Sequence, residues 1–393
     1  MKRPIVIFYG VALPTILISI LGLVMVFSAS SVKALQESGS SVAIVGRQAI
    51  LFTVGVLISL FLFRAPFAFL KRISSLSLLL SITALALPQI PGIGKEVNGN
   101  TNWISLGGFT MQPSEFAKLG MILWIAGVLA RHESRVVDGV QDSNDAGRRL
   151  ATELLPGIIA MMALILLGRD LGTALVFAAI AAAMLFVAGV QLRWFIVAIA
   201  ALAVMATVLI LTQSNRIYRI KALLDPFSEE HYQNAGWQPA HSIMGLASGG
   251  IFGSGLGAGK QKWGNLAEAH TDFIFAVVGE EMGLFGTLTI LALFAFMLLS
   301  IFKIALRSET LLERFFVSGV GLWFAIQIVV NIGSVTGLIP VIGVTLPLVS
   351  YGGSSLIATL AALGLVLGVA MRDKEVRGEI TRQVSRSLKY SQK

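Results

Sequence analysis

The sequence predicts an all-α polytopic membrane protein of about ten transmembrane helices, and three observations carry that prediction. Of 393 residues 55% are hydrophobic and only 13% charged, against about 25% charged in an ordinary soluble domain. The mean hydropathy is +0.82. Apolar runs long enough to cross a hydrocarbon core of ~30 Å recur along the whole chain, so one integral membrane domain replaces the two or three soluble domains that length alone suggests.

The first run follows Met1-Lys2-Arg3-Pro4 and has no small-residue cleavage site before Ser28, so it is expected to stay as an uncleaved helix. Apolar periodicity, charge and turn punctuation place spans near residues 5–28, 48–66, 73–90, 115–131, 151–168, 171–189, 193–212, 273–302, 315–337 and 346–370. Ten spans put both termini on one side. With the N-terminus inside, 20 of the 30 Lys and Arg residues fall on inner segments, which the positive-inside rule reads as cytoplasmic termini. The chain then divides into a membrane domain, 1–371, and a basic cytoplasmic tail, 372–393.

The same topology leaves two long loops outside. One covers about 91–114 and carries Asn98, Gly99, Asn100, Asn102 and Trp103; the other, between spans seven and eight, covers about 213–272. Loops of this length in a compact protein are functional or disordered. Their mixture of aromatic and polar residues places the functional site there.

The sharpest local feature is Glu268-Ala269-His270-Thr271-Asp272-Phe273-Ile274-Phe275 at the start of span eight. Asp272 is either a helix N-cap or a carboxylate held at the water–lipid boundary as a general base. Ionisable residues in or beside spans are costly in lipid: Glu115, Lys118, Arg169, Asp170, Glu280 and Glu281. Glu115 and Lys118, three apart, share a helix face and are able to pair. Two adjacent carboxylates inside a span, Glu280 and Glu281, need partners of their own and are expected to be structural.

The glycine run Gly249, Gly250, Gly253, Gly255, Gly257 and Gly259, followed by Lys260, fails as a Walker A loop because Ser254 and Gln261 stand where Gly and Ser or Thr are required. It also lacks the βαβ context of a dinucleotide fingerprint. It is assigned to a flexible or closely packed outer loop whose backbone N–H groups could approach a diphosphate. Ser350-Tyr351-Gly352-Gly353-Ser354-Ser355 puts small and hydroxyl residues at the outer start of the last span, where close helix packing is the first explanation.

Several classes are excluded or unsupported. With no cysteine there is neither a disulfide framework nor a thiolate site. The net charge of +9 is spread through short loops and the tail without an aromatic–basic RNA motif, so membrane lipid, and not nucleic acid, is the expected partner. HExxH, EF-hand and GxSxG patterns are missing.

Five ordered motifs resemble the SEDS family (shape, elongation, division and sporulation), the FtsW and RodA group, over essentially the whole chain. They are Asn98-Gly99 through Trp103-Ile104, Gln112-Pro113-Ser114-Glu115-Phe116-Ala117-Lys118, Asp170-Leu171-Gly172-Thr173-Ala174, Glu268 to Phe275 with Gly279-Glu280-Glu281, and Ser350 to Ser355. Lys262-Trp263-Gly264-Asn265-Leu266 and Ala276-Val277-Val278-Gly279 look more like the division branch, FtsW, than the elongation branch, RodA. Ala267, Arg169 and Leu348 stand where the family usually has proline, proline and phenylalanine.

The resemblance implies a peptidoglycan glycosyltransferase in the inner membrane, at the division septum, with its active site facing outward. It would polymerise lipid II into glycan strands beside a class B penicillin-binding protein and other divisome membrane proteins. It implies Asp272 as the catalytic base. Trp103, Glu115, Lys118, Arg169, Asp170, Lys260, His270, Ser350 and Tyr351 are the expected substrate contacts. The cofactor expectation is either none or one divalent cation, Mg or Mn, shared with the diphosphate. A lipid II flippase and a non-catalytic divisome scaffold are the rival readings.

Overall fold

The computed structural model describes residues 4–97, 99–106, 109–137, 143–196 and 222–391. The chain is a helical membrane protein, as expected. Among the described residues eight helices are long and apolar enough to cross a membrane, and α6, Leu171–Val187, is a shorter apolar helix. Residues 192–196 open a further helix; the expected span 193–212 otherwise lies outside the described residues, as do Asn98, Arg216, Arg219 and Lys221.

The first helix, α1 (Ile5–Ser38), runs ten residues beyond the expected span and ends at Gly39, a left-handed cap whose N–H bonds Leu35 O. The apolar residues of 5–28 mark the membrane, but nothing between Ala29 and Ser38 stops a helix, so it continues to the glycine cap. α2 (Ala43–Phe63) and α3 (Phe67–Ala86) follow. Only 11% and 28% of their apolar windows are buried, against 78% for α4 (Pro113–Val137) and 83% for α11 (Gly353–Ala370). The helix bundle therefore has α4, α10 (Leu311–Val335) and α11 at its centre and turns α2 and α3 to lipid. α5 spans Ser143–Leu167.

The 91–114 loop is not irregular. It forms an antiparallel sheet of β1 (Gly94–Val97), β2 (Asn100–Leu106) and β3 (Phe109–Met111), with Lys95 opposite Trp103 and Ile104 opposite Met111. Buried Asn102 and Ile104 alternate along β2 with less buried neighbours, the period-two pattern of a half-buried strand. Asn102 ties the sheet to the end of α5 by donating from Nδ2 to Ile165 O at 3.2 Å.

The described part of the second loop is also ordered. It carries α7 (Glu229–Tyr232) and α8 (Trp237–Ser248) and then a glycine-rich strap, residues 249–262. α8 is fixed from both sides: Ser242 Oγ donates to Val335 O at 2.7 Å, and His241 Nδ1 lies 2.8 Å from Gln261 Oε1. α9 (Ile274–Arg307) is broken at Gly283, which has φ 65° and ψ −163°. A side chain there would also meet Gly253 N at 2.4 Å, so both conformation and space demand glycine. The helix thus consists of a short first piece, 274–282, and a long piece, 284–307.

Beyond α11 the tail forms α12 (Lys374–Ser391). Arg307 Nε bonds Asp373 Oδ2 at 2.7 Å, Arg372 pairs with the buried Glu313, and Ile5 N donates to Glu379 Oε2 at 3.0 Å. These contacts hold the start of the tail against the start of α1, the end of α9 and the start of α10.

Candidate functional site

Two short segments cross where the first piece of α9 meets the entry to α11. Ser350 Oγ donates to Thr271 O at 2.6 Å and accepts from Leu346 N at 2.8 Å; Tyr351 N donates to His270 O at 2.8 Å. The His270 and Tyr351 rings lie 5.5 Å apart, centroid to centroid. Asn331, buried in α10, donates from Nδ2 to both Asp272 O and Val344 O, each at 2.8 Å. Gln48 on α2 donates to Ser350 O at 3.2 Å and accepts from Gly352 N at 3.3 Å. Gly22 of α1 permits this crossing, because a Cβ there would sit 2.4 Å from Leu348 O.

The crossing fixes the backbone of Asp272 and leaves its carboxylate without a hydrogen bond from any described residue. α9 begins at Ile274 with Phe273 in the capping position and no side-chain cap, so Asp272 is not the N-cap that the sequence allowed. Burial, and then the negative charge of Glu268, push its carboxyl up to about 7. Glu268 itself has φ 54°, a left-handed conformation that costs a non-glycine residue of order 1–3 kcal/mol and persists only where surroundings enforce it. An unpaired carboxylate that titrates near neutrality is suited to removing a proton at working pH.

Cationic groups face this spot from helices that the motif search did not connect. Burial, and then Lys33 near the end of α1, hold the His270 ring below its usual value, with Glu268 and Glu37 acting the other way. Burial raises the Tyr351 hydroxyl while Arg47 on α2 opposes the shift. Lys33 and Arg47, with Gln48 and Asn331, are site residues that sequence reasoning missed. Gln48 and Asn331 carried one signal, an amide inside an apolar run; the two cations carried none.

The other expected residues occupy three further places. Glu115 and Lys118 pair on one face of α4 at 2.8 Å, Lys118 Nζ lies 5.3 Å from the Trp323 ring centre, and Glu115 Oε2 is buried without a partner. Asp170 caps α6 by accepting from Thr173 N at 2.9 Å and also accepts from Gln112 Nε2 at 3.2 Å. Gln112 N donates to Ser354 Oγ at 2.9 Å, which carries this line to the start of α11. Trp103 in β2, Arg169 and Lys260 have no hydrogen bond or ion pair to the Asp272 segment. Arg169 sits at φ 62°, an angle closed to proline, so the local backbone differs from that of a chain with proline there.

Glu280 and Glu281 are structural, as expected, and their partner is the glycine strap. Glu280 accepts from Lys260 N at 2.6 Å and Gln261 N at 3.2 Å. Glu281 accepts from Lys262 Nζ at 2.8 Å, Ser28 Oγ at 2.7 Å, Gly257 N at 2.9 Å and Gly259 N at 3.4 Å. Of the backbone donors expected to approach a diphosphate, Gly257 N and Gly259 N are therefore spent on the Glu281 carboxylate, and Gly253 N and Gly255 N on the carbonyls of Gly249 and Glu281. Among the described residues no group of three His, Asp or Glu side chains converges to hold a metal ion.

The family model described as "Cell cycle protein", covering FtsW, RodA and SpoVE, matches residues 10–375. The chain is 37% identical over 373 residues to the probable peptidoglycan glycosyltransferase FtsW of Mycobacterium tuberculosis, covering 95% of this chain and 69% of that one. It is 38% identical to the FtsW of Trichlorobacter lovleyi, with 89% of each covered, and 36% identical to the stage V sporulation protein E of Bacillus subtilis, with 91% and 94% covered. Among solved structures it resembles a chain of a peptidoglycan synthase complex that coordinates polymerization and crosslinking, with a TM-score of 0.71, 30% identity and coverage of 93% and 98%. The Thermus thermophilus rod shape determining protein RodA matches with a TM-score of 0.66, 30% identity and coverage of 93% and 97%.

Proposed function

The chain belongs to the FtsW, RodA and SpoVE family and is a peptidoglycan glycosyltransferase of the membrane; from that premise we propose that it polymerises lipid II on the outer face of the division septum, with Asp272 as the general base. The observation that carries this reading is the Asp272 carboxylate itself, unbonded and raised to about 7.

In the reaction, the sugar hydroxyl of one lipid-linked disaccharide gives its proton to Asp272 as its oxygen attacks the anomeric carbon of the growing strand. The bond from that carbon to the diphosphate breaks, and undecaprenyl diphosphate leaves with the electron pair. The departing charge needs positive groups aimed at it. Lys33 and Arg47 act on His270 and Tyr351 and so stand beside the base, better placed for this than Lys260 or Arg169. A divalent cation, Mg or Mn, would be held by the carboxylates of Asp272 and Glu268, hard oxygen donors of the kind such ions take, and would supply positive charge to the departing diphosphate.

A class B penicillin-binding protein is the proposed partner, crosslinking the strands. The sequence favours the division branch through Lys262 to Leu266 and Ala276 to Glu281, with RodA-type elongation as the alternative role. The test is polymerisation of purified lipid II, with the partner present, by wild type and Asp272→Asn at equal folded amounts. Strands from wild type alone are expected. Strands from both would remove Asp272 from the base's role, and strands from neither would favour a flippase or a scaffold.

A further inference from the structure

The strap 249–262 is an irregular segment in a place where irregular backbone is costly unless its polar groups are satisfied. Gly253 N donates to Gly249 O, Ser254 N to Glu280 O, Gly255 N to Glu281 O and Ala258 N to Gly255 O, while Gly257 N and Gly259 N bond the Glu281 carboxylate. In the other direction Leu284 N donates to Gly250 O and Phe285 N to Ile251 O. From Gly253 to Gln261 every backbone N–H except that of Leu256 is paired within the protein, as irregular backbone needs at a depth where water is scarce.

Its side chains show the opposite treatment. Residues 249–259 carry no charge, and Phe252 is 82% exposed with Ile251 and Leu256 also exposed. They continue directly into Leu284, Phe285 and Leu288, the exposed apolar face of the long piece of α9, which is a candidate membrane span. A contiguous apolar patch of this kind is covered by something other than water. The charged end of the strap, Lys260, is exposed, Lys262 is turned inward onto Glu281, and the exposed Trp263 follows.

Depth agrees. From Arg307, anchored among Asp373 and Glu375 at the opposite face, 24 residues of helix back to Gly283 rise ~36 Å. That exceeds a hydrocarbon core of ~30 Å and falls within the ~40–45 Å that includes headgroups. Gly283, where the strap is stitched to α9, therefore lies at the boundary on the Asp272 side, the depth at which exposed aromatic residues collect and at which interfacial segments bury their apolar face.

We propose that residues 250–257 are immersed in the leaflet on the Asp272 side, with Ile251, Phe252 and Leu256 in contact with acyl chains and Lys260 at the headgroups. Glu280 and Glu281 hold the backbone in the shape that makes this immersion affordable. The occupant of the patch is thus lipid, and not a protein partner; the inference does not depend on the identity of the catalytic base.

The cysteine-free chain allows single nitroxide labels at Phe252→Cys, Leu256→Cys, Leu288→Cys and Lys260→Cys in the full protein, reconstituted alone in nanodiscs. Collision with oxygen relative to a water-soluble nickel chelate is expected to be as high at 252 and 256 as at the lipid-facing 288, and lower at 260. Nickel access at 252 and 256 equal to that at 260 would overturn the proposal and leave the patch for a protein partner. Wild type in liposomes bearing a diazirine on the phospholipid acyl chain gives a label-free check. Crosslinks on the 250–257 peptide are expected; crosslinks on 284–288 with none on the strap would overturn it.

Discussion

Replacing Glu281 by glutamine is expected to release the strap without unfolding the bundle. The carboxylate is buried and accepts from four groups, one of them the ammonium of Lys262, whose side chain is itself 3% exposed. Glutamine keeps the volume but offers one acceptor and two donors to a site lined with donors, and it leaves Lys262 buried without a counter-charge. Breaking a buried pair in this way costs about 3–5 kcal/mol. Because a tenfold change in an equilibrium is about 1.4 kcal/mol, the opening equilibrium of the strap should shift by roughly 100-fold or more. Native-state hydrogen exchange reads that equilibrium directly at the amides of Gly253, Ser254, Gly255, Gly257 and Gly259. Lys262→Met should have a comparable effect, and the double variant should lose much less than the sum, since the two residues answer each other. Strap protection within about threefold of wild type for Glu281→Gln, or additive losses in the double variant, would refute the assignment of Glu281 as the strap's anchor.

Asn331→Leu removes two donors and strands Asp272 O and Val344 O in a buried setting, at about 1–3 kcal/mol for each unsatisfied group; polymerisation assays should show a fall in kcat with KM little changed. Asp272→Asn should raise thermal stability at pH 8 and leave it unchanged near pH 4. The folded-state pKa of about 7 lies above the usual 3.8, so ionisation opposes folding and stability falls as pH rises from about 4 to 7. Arg372→Met takes the counter-charge from buried Glu313 and the donor from Ala65 O, and a loss of about 3 kcal/mol is expected in unfolding measurements in detergent.

Much of the helical architecture was legible because lipid imposes a strong pattern: long apolar runs between polar punctuation gave α1 to α6 and α9 to α11 to within a turn or two at most ends. The exceptions have physical causes. α1 overruns its apolar stretch because Ala29 to Ser38 are compatible with helix in either solvent. The sheet at 94–111 was overlooked because its strands are short and their alternation is weak beside the hydropathy of the spans. α9 was read as one span because a single Gly283 does not announce a break until Gly253 is found against it.

The site was legible in part. Asp272, His270, Ser350 and Tyr351 stood out as polar residues at span ends, and the structure brings them together. The two carboxylates at 280 and 281 were read as structural from cost alone, yet their partners could not be named, since backbone amides of a glycine run carry no side-chain signal. Lys33, Arg47, Gln48 and Asn331 come from three different helices, and only tertiary packing brings them to the Asp272 segment. Trp103, Arg169 and Lys260 entered by motif or charge and lie apart from the Asp272 segment.

The central claim is that the polymerase works through an Asp272 carboxylate that ionises near neutrality, and the pH dependence of strand formation from lipid II tests it most directly. Wild type should gain activity through an apparent pKa near 7, running about tenfold below its plateau at pH 6, and Glu268→Gln should move that limb to lower pH because it removes the nearby negative charge. A rate unchanged between pH 5.5 and 8, or a limb that stays in place in Glu268→Gln, would contradict the account.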